Sequence, residues 1–281
     1  KKITNQRLAA DLGSDSKWSL RANLSYLGGA IDSPFSKLRP DYRAATQDPA
    51  ESSFSGSIGA AYRVNKTSQI RLTTGFIWYT PLYTSWDEIA NNSRINFENK
   101  EVRTLELTGV AISYVYGNRF GNWMISPSFG YSYTVNQNAL SLNGNMASAS
   151  LGLTAMYNME GSGLQPGFSL MVDQFFYTSP DKTFMFEGEP RPRAERDLWV
   201  VPVLEYQFND KVAWRIIYAH QYRNTRTMEP NSYRLLPVYI STGIGITPVK
   251  KIWIYPNVQF IPEDARAERT NFGISAILNV F

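Results

Sequence analysis

Residues 122–135, NWMISPSFGYSYTV, carry an apolar or aromatic side chain at every second position: Trp123, Ile125, Pro127, Phe129, Tyr131, Tyr133 and Val135. The positions between them are mostly small or polar. Successive side chains of a strand point to opposite faces, so this stretch predicts a strand with one greasy face and one small, polar face. The pattern recurs over 17–26, 53–64, 69–80, 103–116, 147–157, 166–177, 197–208, 211–222, 233–246, 251–260 and 271–281. About twelve strands of roughly ten residues are expected, and no helix. One segment slips phase: Leu105 and Leu107 fall on one face and Val110, Ile112 and Tyr114 on the other. A β-bulge near Gly109 would return both sets to the same side.

The connections alternate in length. Short turns at 65–68, 117–121, 209–210 and 247–250, with a Gly-rich 158–165, alternate with longer stretches at 32–52, 81–102 and 178–196 and medium ones at 136–146, 223–232 and 261–270. Short turns at one end and long loops at the other are the layout of a transmembrane barrel meander. The apolar-face aromatics gather toward strand ends, as Trp and Tyr do at a hydrocarbon–water interface. Trp18, Tyr26, Phe54, Tyr62, Trp78, Trp123, Tyr133, Tyr157, Phe208, Trp214 and Tyr222 are the instances.

Composition narrows the choices. The 281 residues are 43% hydrophobic and 14% aromatic, with 17 Tyr, 15 Phe and 7 Trp. The mean hydropathy of −0.30 would suit a soluble protein, but lipid-facing and lumen-facing residues cancel in such an average. No apolar run is long enough for a spanning helix. The first residues, KKITNQ, read as a mature or trimmed start rather than a signal peptide. With no cysteine and a single histidine, disulfides, thiolate chemistry and multi-histidine metal sites drop out, and neither a cofactor nor a metal is expected. The net charge of +4, from 28 basic and 24 acidic residues without a basic block, gives no nucleic-acid footprint.

The chain ends GISAILNVF, with Phe281 last. This ending resembles the C-terminal strand of bacterial outer-membrane β-barrel proteins, which close on a Phe behind alternating apolar positions. Asn279 departs from that pattern. The resemblance implies an all-β fold, a closed antiparallel up-and-down transmembrane β-barrel of about twelve strands in the outer membrane of a Gram-negative bacterium. It also implies that Phe281 is an assembly signal read by the barrel assembly machinery, and that lipid bilayer and lipopolysaccharide surround the wall. Physically, a closed sheet is the one all-strand solution that pairs every backbone group in lipid. Ile274, Ala276, Leu278 and Val280 are then expected to face lipid. The barrel is expected over 17–281, with 1–16 as a periplasmic N-terminal segment and, for an even strand count, both termini periplasmic.

Alternation nominates the lumen residues: Arg21, Asn23, Arg63, Arg71, Glu106, Asp173, Glu205, Arg215, Tyr255, Asn257 and Gln259. The hairpin at 208–212 should set Tyr206 against Trp214 outside and Glu205 against Arg215 inside. Matching Val64 with Ile70 sets Arg63 against Arg71, and like charges directly opposed call for an acid nearby. Arg21, Arg63 and Arg71 would form a basic patch in the periplasmic half of the lumen, suited to anions. N-terminal or loop carboxylates such as Asp11 and Asp15 could instead neutralise it. The leading expectation is an outer-membrane channel, porin-like, for passive passage of small solutes with mild anion preference.

Two alternatives stand beside it. The segment YAHQYRN around His220 loosely resembles outer-membrane phospholipases, whose motif pairs a His with a Ser two residues on. That likeness would imply an enzyme acting on lipid, a phospholipase or lipid A deacylase. Tyr222 stands in the serine position, and a nucleophile must lie within hydrogen-bond reach of its base. A barrel serving only as an anchor whose loops bind a partner is the other alternative. The charged loops at 85–92 and 186–197 could hold divalent ions, and Arg223, Arg226 and Arg234 could meet lipopolysaccharide phosphates. The apolar patches at 81–86 and 183–186 could plug the mouth.

Overall fold

The computed structural model describes residues 5, 7, 8, 10, 16–40, 50–82, 105–136, 140, 143–186, 188–249 and 251–280. Among them, twelve long strands build the molecule. They are β1 (Trp18–Ala30), β2 (Ser53–Arg63), β3 (Ser68–Tyr79), β4 (Leu105–Tyr116), β5 (Trp123–Thr134) and β6 (Asn145–Tyr157). The rest are β7 (Leu164–Tyr177), β8 (Ala194–Gln207), β9 (Val212–Thr225), β10 (Tyr239–Ile246), β11 (Ile252–Phe260) and β12 (Asn271–Val280). Each pairs antiparallel with the next, and β12 returns to β1 from Leu20↔Val280 to Ala30↔Asn271. The sheet is a closed up-and-down barrel with no free edge.

The alternation sets its two surfaces. Trp18, Leu20, Leu72, Leu105, Phe129, Tyr131, Leu151 and Val280 are exposed on the outside, and the small and polar positions between them point in. No second protein layer covers that wall among the described residues. An exposed apolar band of this extent is unfavourable in water and favourable against acyl chains. Ring pairs mark its edges: Trp18–Tyr62 and Trp123–Tyr157 at the end with the short turns, and Phe54–Phe76 at the end with the long loops. At the latter end Phe35, from the segment after β1, packs on Tyr26 and Phe272. The tight return that brings it there leaves no room for a side chain at Gly28, where a Cβ would lie 2.2 Å from the Pro34 carbonyl oxygen.

The expected bulge is present. Gly75 pairs Gly109 and Phe76 pairs Leu107, so Thr108 is the extra residue. Leu105, Leu107, Val110, Ile112 and Tyr114 all stay exposed on the outer wall. The expected strand over 233–246 is interrupted. Arg234–Leu235 pairs Tyr222 and Arg223, the ladder then lapses, and β10 begins only at Tyr239. Pro237 lies in the lapse and has no N–H to offer a ladder. The apolar patch at 183–186 is the first strand of a small hairpin, Thr183–Phe186 with Glu189–Pro192, and Met185 on it is exposed.

A helical turn was not foreshadowed by the strand pattern. Arg7, Leu8 and Ala10 carry helical backbone. Asn5 caps the turn, its Oδ1 accepting from the Leu8 N–H at 2.9 Å, three residues on as an N-cap requires.

Candidate functional site: the barrel lumen

The register rows identify the inner face. Arg21 pairs Gly59 and Asn279; Arg71 pairs Ala61 and Ser113; Asp173 pairs Ser150 and Asp197; Asn257 pairs Gly243 and Gly273. The row through Asn23, Ile277 and Trp253 and the row through Gln259 and Asn271 lie on the same side. All eleven candidate lumen positions therefore share the inner parity. Phe281 lies outside the described residues, as do Asp11, Asp15 and the acids of 85–92.

The end with the short turns is filled by the chain's own N-terminal residues. Of the segment before β1, Asn5, Leu8 and Ala10 are buried inside the barrel. Asn5 Nδ2 donates to Gln165 Oε1 at 2.8 Å and to Glu205 Oε2 at 2.6 Å. Leu8 packs on Met156 and Val203, with Met124, Val201 and Ile217 beside them. Ala10 packs on Trp253, Tyr255 and Ile277, and its carbonyl accepts from Asn279 Nδ2 at 3.5 Å. The physical reason is a match of surfaces. Several lumen positions in this half are apolar, and a short capped turn with Leu8 and Ala10 covers them. Asn279, out of place in the terminal pattern, faces inward and is one of the residues this segment touches.

The predicted pair Glu205–Arg215 is formed, at 2.9 Å, with both side chains buried. The Arg215 guanidinium also lies over the rings of Trp253 and Tyr255 at 5.7 and 5.8 Å, a cation–π arrangement. A chain of hydrogen bonds climbs the wall from there. Tyr255 Oη donates to the Arg215 carbonyl, Ser241 Oγ to Asn257 Oδ1 and Gln259 Nε2 to the same oxygen.

The predicted pair Arg63–Arg71 is not formed. Arg63 faces Gln69, and Arg71 faces Ala61. The turn closes with the Val64 N–H on the Ser68 carbonyl at 3.0 Å, which slides the partners by two residues. A slip of two keeps every side chain on its face and changes only its opposite number. With its amide oxygen turned toward the guanidinium, Gln69 accepts from Arg71 Nη2 at 2.5 Å and Nε at 3.2 Å.

Toward the long loops the lumen carries a second ion pair that sequence reasoning missed. Arg223 grips Asp197 with two bonds, Nε–Oδ1 at 2.8 Å and Nη2–Oδ2 at 2.7 Å, and Gln221 Nε2 donates to Oδ2 at 2.8 Å. Inner parity on β8 and β9 was the available signal, since Asp197 and Arg223 sit eight residues along the same strands from Glu205 and Arg215. Asp173 stands across from Asp197, and Glu106 accepts from Asn136 Nδ2 at 2.6 Å. Among the described residues Arg7, Arg21, Arg63, Arg71 and Arg215 lie in the short-turn half with Glu205, whereas Glu106, Asp173 and Asp197 lie toward the loops together with Arg223.

Open space remains on both sides of the N-terminal turn. A cavity of about 560 Å³ runs between Asn23, Ser25 and Ser57 on one wall and Tyr239, Asn257 and Gln259 on the other, with Arg7 and Arg215 on its boundary. A smaller one of about 180 Å³ lies against Arg71, Ser126, Ser128, Ser150 and Thr154, again bounded by Arg7 and by Leu8. The hydroxyls of this wall partly satisfy one another, Ser132 with Ser148 and Thr154 with Ser169, each at 2.8 Å. Small side chains leave the room; the polar lining makes it hospitable to water and polar solutes.

His220 points outward. Its ring meets Tyr218 edge-on at 4.4 Å and Tyr222 in parallel at 6.4 Å, and its Nδ1 is buried without a hydrogen-bond partner. Among the described residues no group of three or more acids and histidines suits a metal ion.

Solved structures share this architecture. An outer membrane channel from Pseudomonas putida F1 superposes with a TM-score of 0.52 at 6% identity, over 96% of this chain and 98% of that one. The NanC porin superposes with a TM-score of 0.50 at 8% identity, over 93% of this chain and all of that one. No protein-family model and no curated sequence matches the chain. The fold is that of the bacterial outer-membrane β-barrels.

Proposed function

We propose, on the premise that this chain carries the outer-membrane barrel fold, that it resides in a Gram-negative outer membrane and passes small polar solutes with a mild anion preference. In this reading both termini are periplasmic, the long loops face outward among lipopolysaccharide, and Phe281 serves assembly. Residues 17–281 are the conducting barrel, and the segment before them narrows its periplasmic half. The observation that supports passage most directly is the polar, partly open lumen behind a predominantly apolar outer wall. The anion preference is supported by the placement of Arg7, Arg21, Arg63, Arg71 and Arg215 in the short-turn half of the lumen. Fixed positive charge lowers the barrier for an anion and raises it for a cation.

Reversal potentials in a planar bilayer under a potassium chloride gradient test the reading. Chloride preference is expected, and it should weaken in Arg71→Gln. Cation preference, or silence even after residues 1–15 are removed, ends it.

A further inference from the structure

The outer wall carries a cluster of long polar side chains at the end with the long loops. The register row that runs through exposed Tyr131 and through Ala149 continues through Gln174 of β7, Arg196 of β8 and Asn224 of β9. Three polar side chains thus stand on the lipid-side face, at the end with the long loops. One step below them on the same face the row is apolar again: Leu151, Val172, Leu198 and Tyr222. An arginine here is not left to chance. Gln174 Oε1 accepts from Arg196 Nε at 2.8 Å while Gln174 Nε2 donates to the Glu195 carbonyl at 3.0 Å, so the amide fixes the guanidinium. Asn224 is buried and spends its amide on the Glu229 and Ser232 carbonyls, shaping the segment opposite.

Between these groups lies a groove of about 640 Å³ that brings Arg196 together with Lys182, Arg226 and Asn231. The groove also holds Glu195 and Glu229; Arg226 engages Glu195 at 3.3 Å, and the three cations outnumber the two carboxylates by one. A cationic groove directly above an apolar wall fits one kind of molecule, an amphiphile whose anionic head lies in the groove and whose chains descend along Val172, Leu198 and Tyr222. Phosphate matches a forked guanidinium and an ammonium better than a neutral sugar does.

We infer that the groove over Gln174, Arg196 and Asn224 binds the phosphate of a phosphorylated, multiply acylated glycolipid of the outer leaflet. This rests on the proposed orientation with the long loops outward, but not on conduction, because Gln174, Arg196 and Asn224 stand on the outer-face row.

The test is native mass spectrometry of the detergent-solubilised full chain titrated with diphosphoryl lipid A, dephosphorylated lipid A or inorganic phosphate. Wild type should hold diphosphoryl lipid A, and the variants Arg196→Gln and Lys182→Gln should each weaken it several-fold and together at least roughly tenfold. Lys182 lies outside the twelve barrel strands, so Lys182→Gln reads the site even if Arg196→Gln folds poorly. Equal binding by wild type and both variants, or equal binding of the dephosphorylated lipid, overturns the inference. So does displacement by inorganic phosphate at the lipid's own concentration, which would make the groove a site for free anions. Chloride preference of the double variant should equal that of wild type; a failed bilayer experiment would therefore count against the channel and leave the lipid site standing.

Discussion

At the scale of single residues, the lumen is decided by which charges face each other. Glu205 accepts from Asn5 and forms an ion pair with Arg215, so Glu205→Ala strands a buried guanidinium and the anchor of the N-terminal turn. Breaking a buried pair on one side costs about 3–5 kcal/mol. Urea unfolding in lipid vesicles, followed by tryptophan fluorescence, should show a loss of that order. A loss under about 1 kcal/mol would mean that lumen water solvates Arg215 as it does a surface cation. The neighbouring hairpin offers a sharper check. The Arg63 N–H bonds to the Lys17 carbonyl on the β1 side, which leaves Arg63 and Gln69 as a non-hydrogen-bonded pair, the kind with the closer Cβ atoms. In this cysteine-free chain, cysteines at 63 and 69 should cross-link on oxidation and cysteines at 63 and 71 should not. Alternation made both arginines legible as lumen residues. It could not say which residue each faces, because a two-residue slip is silent in a period of two.

At the scale of elements, the strands were legible nearly residue by residue, and so was the bulge. Leu105 and Leu107 reach the outer wall only because Thr108 is spare. Deleting Thr108 should turn both leucines into the polar lumen and Glu106 toward lipid, lowering stability by about 1–3 kcal/mol. The unfolding midpoint on a heat-modifiability gel reads this, and an unchanged midpoint would show that the bulge is not what sets the phase. The helical turn at Arg7–Ala10 was harder to see. Asn5 followed by Gln-Arg-Leu-Ala-Ala is an N-cap before good helix formers. A single turn nevertheless gives too few positions for a period to emerge, and its stability comes from Leu8 and Ala10 meeting apolar lumen side chains that belong to strands far away in sequence. The break before β10 was legible in principle, since Pro237 cannot serve a ladder, but the hydrophobic run across 233–246 outweighed it.

At the scale of the whole molecule, the closed wall and the segment inside it have opposite effects on passage. Closure removes every edge and creates an aqueous interior; the N-terminal turn then fills part of that interior and parts the two cavities at Arg7 and Leu8. None of this follows from alternation, which fixes what faces in but not what enters. Removing residues 1–15 should therefore change two quantities in different directions. Conductance should rise, by roughly twofold or more, because Asn5, Leu8 and Ala10 no longer occupy the narrow half. Chloride preference should fall, because Arg7 leaves while Glu205, freed of Asn5, remains. Stability should also drop by about 1.5–3 kcal/mol for the lost burial of Leu8 alone. Wider conduction with unaltered selectivity would mean that Arg7 does not face the conducted ion, and unaltered conductance would mean that ions bypass this turn altogether.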